Sequence, residues 1–187
     1  LPLRTDVDAL TKYFYVRESV LSGRINMPNG NNFYAVNTHL SAYSTDDTKL
    51  RQLQRYIAIC DELSKSGDPM VTGGDYNLIP PNSDITDYCL IDACPGESFH
   101  EAGSEPQHKE GSYFTPEINW LNAIYSKYES SLLLSEYKSN QKKYYSHSSD
   151  PNLDWNRTLD YLFANRPFVK NSHKVWQEFR KEADHAA

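Results

Sequence analysis

Between Phe33 and Asp75 the hydrophobic pattern changes period twice, and no other feature constrains the fold as much. Phe33-Tyr34-Ala35-Val36-Asn37-Thr38 reads as a strand. Leu50, Leu53, Ile57, Cys60 and Leu63 then recur at helical spacing and give one apolar stripe. Ser44, followed three residues on by Asp47, reads as a capping box that opens this helix. Lys65-Ser66-Gly67-Asp68-Pro69 closes it. Met70-Val71-Thr72 is again strand-like and runs into Gly73-Gly74-Asp75. Strand, helix, strand in that order is an α/β unit.

The flanking segments extend this frame. From about Tyr13 to Met27 the chain reads as extended, through Tyr13, Phe14, Tyr15, Val16, Val20, Leu21 and Ile25. Pro28-Asn29-Gly30-Asn31-Asn32 is a turn by its chemistry, because Asn-Gly tolerates positive φ, so an antiparallel hairpin is expected. Downstream, residues 95–111 are polar and loop-like. Ile118, Leu121, Ile124, Tyr125 and Tyr128 have the spacing of a short amphipathic helix, and another polar stretch runs from Ser146 to Asp154. Arg157-Thr158-Leu159-Asp160-Tyr161-Leu162-Phe163 reads as a strand, and a last extended segment is expected around His173 to Phe179. No repeat, low-complexity tract or second domain is visible.

Composition narrows the class. The chain has 187 residues, 39% hydrophobic and 13% aromatic, which suits one domain with a sizeable core and excludes a disordered chain. Fourteen tyrosines against seven phenylalanines suggest a wet, polar sheet surface. No apolar run approaches the ~20 residues needed to span a membrane. The net charge is −6 and Lys142-Lys143 is the nearest thing to a basic block, which disfavours non-specific binding to duplex DNA. An acidic protein still binds phosphate when a divalent cation supplies the positive charge. Cys60, Cys89 and Cys94 lack the spacing of a zinc site or a disulfide framework.

Four short motifs carry chemistry. Asn37-Thr38-His39-Leu40 is a polar cluster at the end of a strand, where a histidine is either structural or functional. In Gly73-Gly74-Asp75-Tyr76-Asn77 the glycines allow a tight turn and close approach of a ligand. Asp75 and Asn77, two apart, project to one side if the chain is extended. A carboxylate beside an amide suits hydrolysis, one handling water and the other donating to a phosphate oxygen, though the same residues also make an Asx turn. Asp160 lies in an apolar strand and faces away from Leu159 and Tyr161, so it has either a partner such as histidine or an edge position facing water. Asp184-His185 near the chain end pairs a carboxylate with an imidazole.

Taken in order, these motifs are similar to those of the endonuclease/exonuclease/phosphatase family, which includes deoxyribonuclease-I-like enzymes, apurinic endonucleases, neutral sphingomyelinases and inositol polyphosphate phosphatases. The series is strand-NTHL, a helix containing Arg51 and Gln54, strand-GGDYN, a variable polar region, strand-LDYLF and then Asp184-His185. The resemblance runs from about Arg17 to the last residue. It implies an α/β (α+β) fold, part of a four-layered sandwich in which two facing mixed, mainly antiparallel sheets are flanked by helices. Residues 1–187 would form a single such domain, incomplete at the N-terminus and at the C-terminus, with 95–154 as a variable polar insertion. In that family His39 would contact the scissile phosphate, Asp75 would orient or deprotonate the attacking water, and Asn77 would hold a phosphate oxygen. Asp160 would pair with His185, which protonates or polarises the phosphate, and Asp184 would help hold Mg²⁺, for which Mn²⁺ can substitute. The metal acts as a Lewis acid.

The chain departs from the pattern in three places. Ala183 stands where the family usually has serine. The family's earlier strands carry an asparagine and a metal-binding glutamate that find no match here, since Glu18 falls in the later hairpin. The chain also stops just after His185. A piece of a longer domain with weak activity on its own is therefore expected. The resemblance implies a phosphate-ester substrate (nucleic acid, phospholipid head group or phosphorylated small molecule), no membrane span and no obligate protein partner. The alternative is a non-catalytic domain that binds a phosphorylated or protein partner. Tyr113, Tyr125, Tyr144 and Tyr145 fit either stacking on a base or sugar or ordinary packing.

Overall fold

The computed structural model describes residues 1–15, 17–42, 44, 46–83, 117–147, 155, 157–179, 183, 185 and 186. Helix α1 spans Ala9–Phe14, and the Asp8 carboxylate caps it by accepting the N–H groups of Leu10 and Thr11. This corrects the extended reading of Tyr13 and Phe14: the cap at Asp8 sets a helical turn before the extended chain begins. Strands β1 (Val20–Ile25) and β2 (Phe33–His39) form the expected antiparallel hairpin, with Val20 opposite Thr38 and Ile25 opposite Phe33. In its turn Gly30 has φ 80° and donates its N–H to the Met27 carbonyl at 2.9 Å.

Helix α2 (Thr48–Ser64) crosses over to β3 (Met70–Asp75), which runs parallel to β2 and completes the unit read from the sequence. Its start differs from the expected capping box. The Asp46 carboxylate, not Ser44, accepts the Thr48 N–H, and Asp47 makes no side-chain cap. Beyond β3 come α3 (Asn122–Tyr125), β4 (Glu129–Ser130), α4 (Leu134–Ser139), a 3-10 turn at Gln141–Tyr144 and β5 (Asp160–Ala164). The strand expected from Arg157 thus starts three residues later, and Arg157 makes only an isolated bridge to His147. The last segment, at 173–179, joins no strand of the sheet and ends in a 3-10 turn at Gln177–Phe179.

The strand order is β1-β2-β3-β5-β4. Three of the four pairings are antiparallel and only β2–β3 is parallel, so the sheet is mixed and mainly antiparallel. The structure is thus of the α/β kind expected, and its described residues form this single sheet, with no second sheet facing it among them. Leu53, Tyr56, Ile57 and Cys60 of α2 pack on Val36, Met70, Tyr161 and Phe163, and Leu121 and Ile124 join the same core. Most of the described tyrosines serve the core and not a wet sheet surface. Tyr56, Tyr76, Tyr137 and Tyr161 are buried, and their hydroxyls bond inside the protein, Tyr161 to the Leu78 carbonyl at 2.7 Å and Tyr76 to the Tyr56 hydroxyl at 3.3 Å. Tyr144 and Tyr145 are buried as well, and Tyr125 sets its ring edge-on to Phe163 at 5.0 Å, so packing accounts for these three. Tyr113, Cys89, Cys94 and the polar stretch 95–111 lie outside the described residues.

The opposite face of the sheet is open. Leu21, Val71 and Leu162 are exposed there, and an open groove of about 970 Å³ runs across them toward Asp160 and Ala186. Among the described residues no helix is long and apolar enough to cross a membrane.

Candidate active site

The strand register assembles a row of polar residues at one end of the open face. His39 is the pairing partner of Asp75 on the neighbouring strand, and Asp75 is the partner of Asp160 on the next. Register partners project to the same face, so the last residue of β2, the last of β3 and the first of β5 lie side by side. The row can be this tight because of Gly73 and Gly74. A Cβ on Gly73 would run into the Tyr161 carbonyl and come within 2.7 Å of Leu162 Cδ2, and one on Gly74 (φ +130°) would meet the Thr38 carbonyl. The glycines are therefore required by the approach of β2 and β5 to β3.

His185 closes the row from outside the sheet. Its Nδ1 lies 2.8 Å from Asp160 Oδ2 and its Nε2 3.7 Å from Asp75 Oδ2. Contact with a carboxylate assigns the proton to Nδ1, which leaves Nε2 as the second, separately directed atom. His39 Nε2 approaches the same Asp75 oxygen at 3.4 Å, and the His39 side chain is 69% exposed, which leaves it open to a ligand. Asp75 thus divides its oxygens: Oδ1 accepts the Asn77 N–H at 2.8 Å and Oδ2 faces two imidazoles.

Asn77 is placed differently from the extended reading. Its φ is +49°, and the N–H bond to Asp75 makes an Asx turn. The turn points the side chain inward, where Nδ2 donates to the Leu40 carbonyl at 2.8 Å, leaving one amide hydrogen uncommitted by that bond.

A support under this turn escaped the sequence reading. Lys49 and Glu117 form a fully buried ion pair at 2.7 Å, and Lys49 Nζ also donates to the Asn77 carbonyl at 3.0 Å. Burial pushes the Lys49 pKa down, while Glu117 and Asp75 act the other way. The signal was present: Lys49 precedes Leu53 and Ile57 by four and eight residues, on the buried stripe of α2. Glu18 stays outside the row, its oxygens engaged by the Ser41 hydroxyl at 2.7 Å and the Gln52 amide at 3.3 Å.

The electrostatics follow from this crowding. Burial is the main cause that raises the Asp75 pKa, to about 6, and the nearby Asp160 carboxylate adds to it. The Asn77 N–H and the two imidazoles oppose the rise. Asp75, Asp160 and His185 offer ligand atoms within 4.8 Å of one another, a group able to hold a metal ion. Its two carboxylates fit a hard divalent cation, which keeps water and substrate oxygens for the rest, whereas its imidazole is a donor for transition metals. A cation there would also relieve the repulsion between the two carboxylates. Asp184, the ligand implied by the family resemblance, lies outside the described residues.

No family model matches the chain, and no curated protein matches it in sequence. Solved structures do match its fold. An endonuclease/exonuclease/phosphatase from Beutenbergia cavernae superposes with a TM-score of 0.52 at 15% identity, over 91% of this chain and 38% of that one. TDP2 of D. rerio, humanized by mutation, gives 0.49 at 11% identity over 90% and 58% of the two chains. The APE2 catalytic domain of Xenopus laevis gives 0.49 at 15% over 89% and 52%. The Beutenbergia comparison shows that this chain has the endonuclease/exonuclease/phosphatase fold, as the motif series implied. The chain spans only 38% of that protein's length.

Proposed function

We propose that the chain carries the phosphate-handling side of a divalent-metal-dependent phosphoesterase. The observation that supports this reading most is the row His39–Asp75–Asp160 closed by His185, three elements and a chain end converging on one carboxylate. In this reading Asp75 orients a water molecule and takes its proton as the water oxygen attacks phosphorus. The phosphorus–oxygen ester bond breaks, and the leaving oxygen departs as the alcohol or alkoxide. His39, exposed at the rim, contacts the scissile phosphate. His185, protonated on both nitrogens, would donate its Nε2–H to a phosphoryl oxygen while Asp160 accepts its Nδ1–H and offsets the charge of the imidazolium. Asn77 offers its remaining amide hydrogen to a phosphate oxygen. Asp184 would help hold Mg²⁺, or Mn²⁺ in its place, and the ion would polarise the phosphoryl group as a Lewis acid.

The fold reading extends in the same way. The exposed Leu21, Val71 and Leu162 suit the inner face of a two-sheet sandwich, with a second sheet packing across the groove. The substrate is a phosphate ester, and the acidic charge favours a head group or small molecule over long duplex DNA.

Hydrolysis of bis-p-nitrophenyl phosphate, plasmid DNA, sphingomyelin and inositol phosphates, with and without Mg²⁺, tests the reading on this chain and on a version extended at both ends. Mg²⁺-dependent turnover that disappears in Asp75→Ala and His185→Ala is expected. Equal inertness of wild type and both variants on every substrate sinks the enzyme reading. Retained binding of inorganic phosphate in that case would identify a binding domain.

A further inference from the structure

Asp160 and His185 are 25 residues apart, and the sheet ladder alone does not bring them together. Residues 146 and 147 do. The buried Ser146 hydroxyl accepts two backbone N–H groups at the start of β5, from Leu159 at 3.1 Å and Asp160 at 3.2 Å. Its carbonyl accepts the Ala186 N–H at 2.7 Å. The N–H groups of Ser146 and His147 both reach the Arg157 carbonyl, at 2.8 and 2.9 Å, and the His147 carbonyl accepts the Arg157 N–H at 3.2 Å. One dipeptide therefore grips the main chain of the residue carrying the carboxylate and of the residue next to the imidazole. On the same bracket the His147 ring lies against the His185 ring, with centroids 4.3 Å apart and planes 37° apart.

We propose that Ser146 and His147 are positioning residues for His185. Ser146 sets the spacing of the two chain segments, and the His147 ring restricts rotation of the His185 ring. Together they keep Nδ1 on Asp160 and Nε2 toward Asp75. The physical ground is that an imidazole bonded to one carboxylate keeps freedom to swing about that bond unless its ring face is packed. A buried hydroxyl that accepts two amides cannot be removed without leaving both unpaired. The catalytic consequence rests on the phosphoesterase reading, whereas the positioning itself does not.

The test reads the imidazole directly. A histidine Nδ1–H held by a carboxylate gives a proton resonance far downfield of the amides, assigned here by its loss in His185→Ala. The wild-type chain is expected to show it, Ser146→Thr to keep it, and Ser146→Ala and His147→Ala to broaden or lose it while the amide spectrum stays dispersed. In parallel, kcat on bis-p-nitrophenyl phosphate with Mg²⁺ is expected to fall roughly 10–100-fold in both alanine variants, with little change in KM and recovery in Ser146→Thr. Should Ser146→Ala fail to fold, His147→Ala decides, because its backbone bonds are unchanged. A wild type without the resonance, or alanine variants that keep it, overturns the proposal. A resonance that behaves as expected in a protein that stays inert on every substrate named above, in its extended version too, upholds the positioning and rejects the phosphoesterase reading.

Discussion

Phe163 and Leu162 are neighbours on β5 and belong to different worlds. Phe163 is fully buried on the helix-covered face, where its ring stacks with Tyr76 at 6.0 Å and meets Tyr125 edge-on. Leu162 is 50% exposed on the open face. The same alternation continues at the strand end, where buried Tyr161 is followed back along the chain by Asp160 in the polar row. One face of the sheet supplies the free energy that fixes the strands, and the other carries the chemistry that the fixed strands align. The division explains why the row can hold a carboxylate as crowded as Asp75: its position is set by the backbone ladder and by packing beneath, not by its own favourable contacts.

The largest test of this division compares the two neighbours. Phe163→Ala is expected to cost ~3–5 kcal/mol in urea unfolding, as a core aromatic truncation does. Leu162→Ala should cost about 1 kcal/mol, since half of its area is already in water. Equal losses would mean that the open face is covered. The next test leaves the fold alone and breaks the row: Asp160→Asn should lower kcat about 100-fold, near 2.7 kcal/mol, with the unfolding midpoint little changed. A loss confined to stability would show Asp160 to be a strand residue only.

The glycines give a smaller contrast on one face. Gly73→Ala drives a methyl into the β5 backbone and should destabilise by about 1–3 kcal/mol. Gly23→Ala, with nothing within 4 Å of the added carbon, should be neutral or slightly stabilising. The last contrast concerns pH. In the metal-free protein the folded state holds the Asp75 proton up to about 6, above the unfolded value. Stability therefore declines as pH rises from about 4 through 6 and is flat beyond. Asp75→Asn should remove the stability slope, and a slope that survives it assigns the effect elsewhere.

Much of this was legible in the sequence because it is local. The period switch between Phe33 and Asp75 gave the strand–helix–strand unit, and the Asn-Gly pair gave the hairpin turn. The motif series pointed to the fold that the Beutenbergia comparison then showed. What could not be read depends on register or on competing local bonds. That residues 39, 75 and 160 fall in one row follows from pairings across 36 and 85 residues of chain, which no motif encodes (39 to 75 and 75 to 160). At Asn77 the motif left extension and an Asx turn open, and the N–H bond to Asp75 decides for the turn. The tyrosine-rich composition misled because hydroxyls that bond one another, or a carbonyl, are satisfied inside a core.

The claim that the row activates water against phosphorus is tested most directly with isotopic water. Hydrolysis of bis-p-nitrophenyl phosphate by the extended protein with Mg²⁺ in ¹⁸O-labelled water should place one labelled oxygen on the released p-nitrophenyl phosphate per turnover. The rate of labelling should collapse in Asp75→Ala and His185→Ala variants that remain folded. Label that appears in p-nitrophenol, or labelling that proceeds undiminished in those variants, would contradict the account.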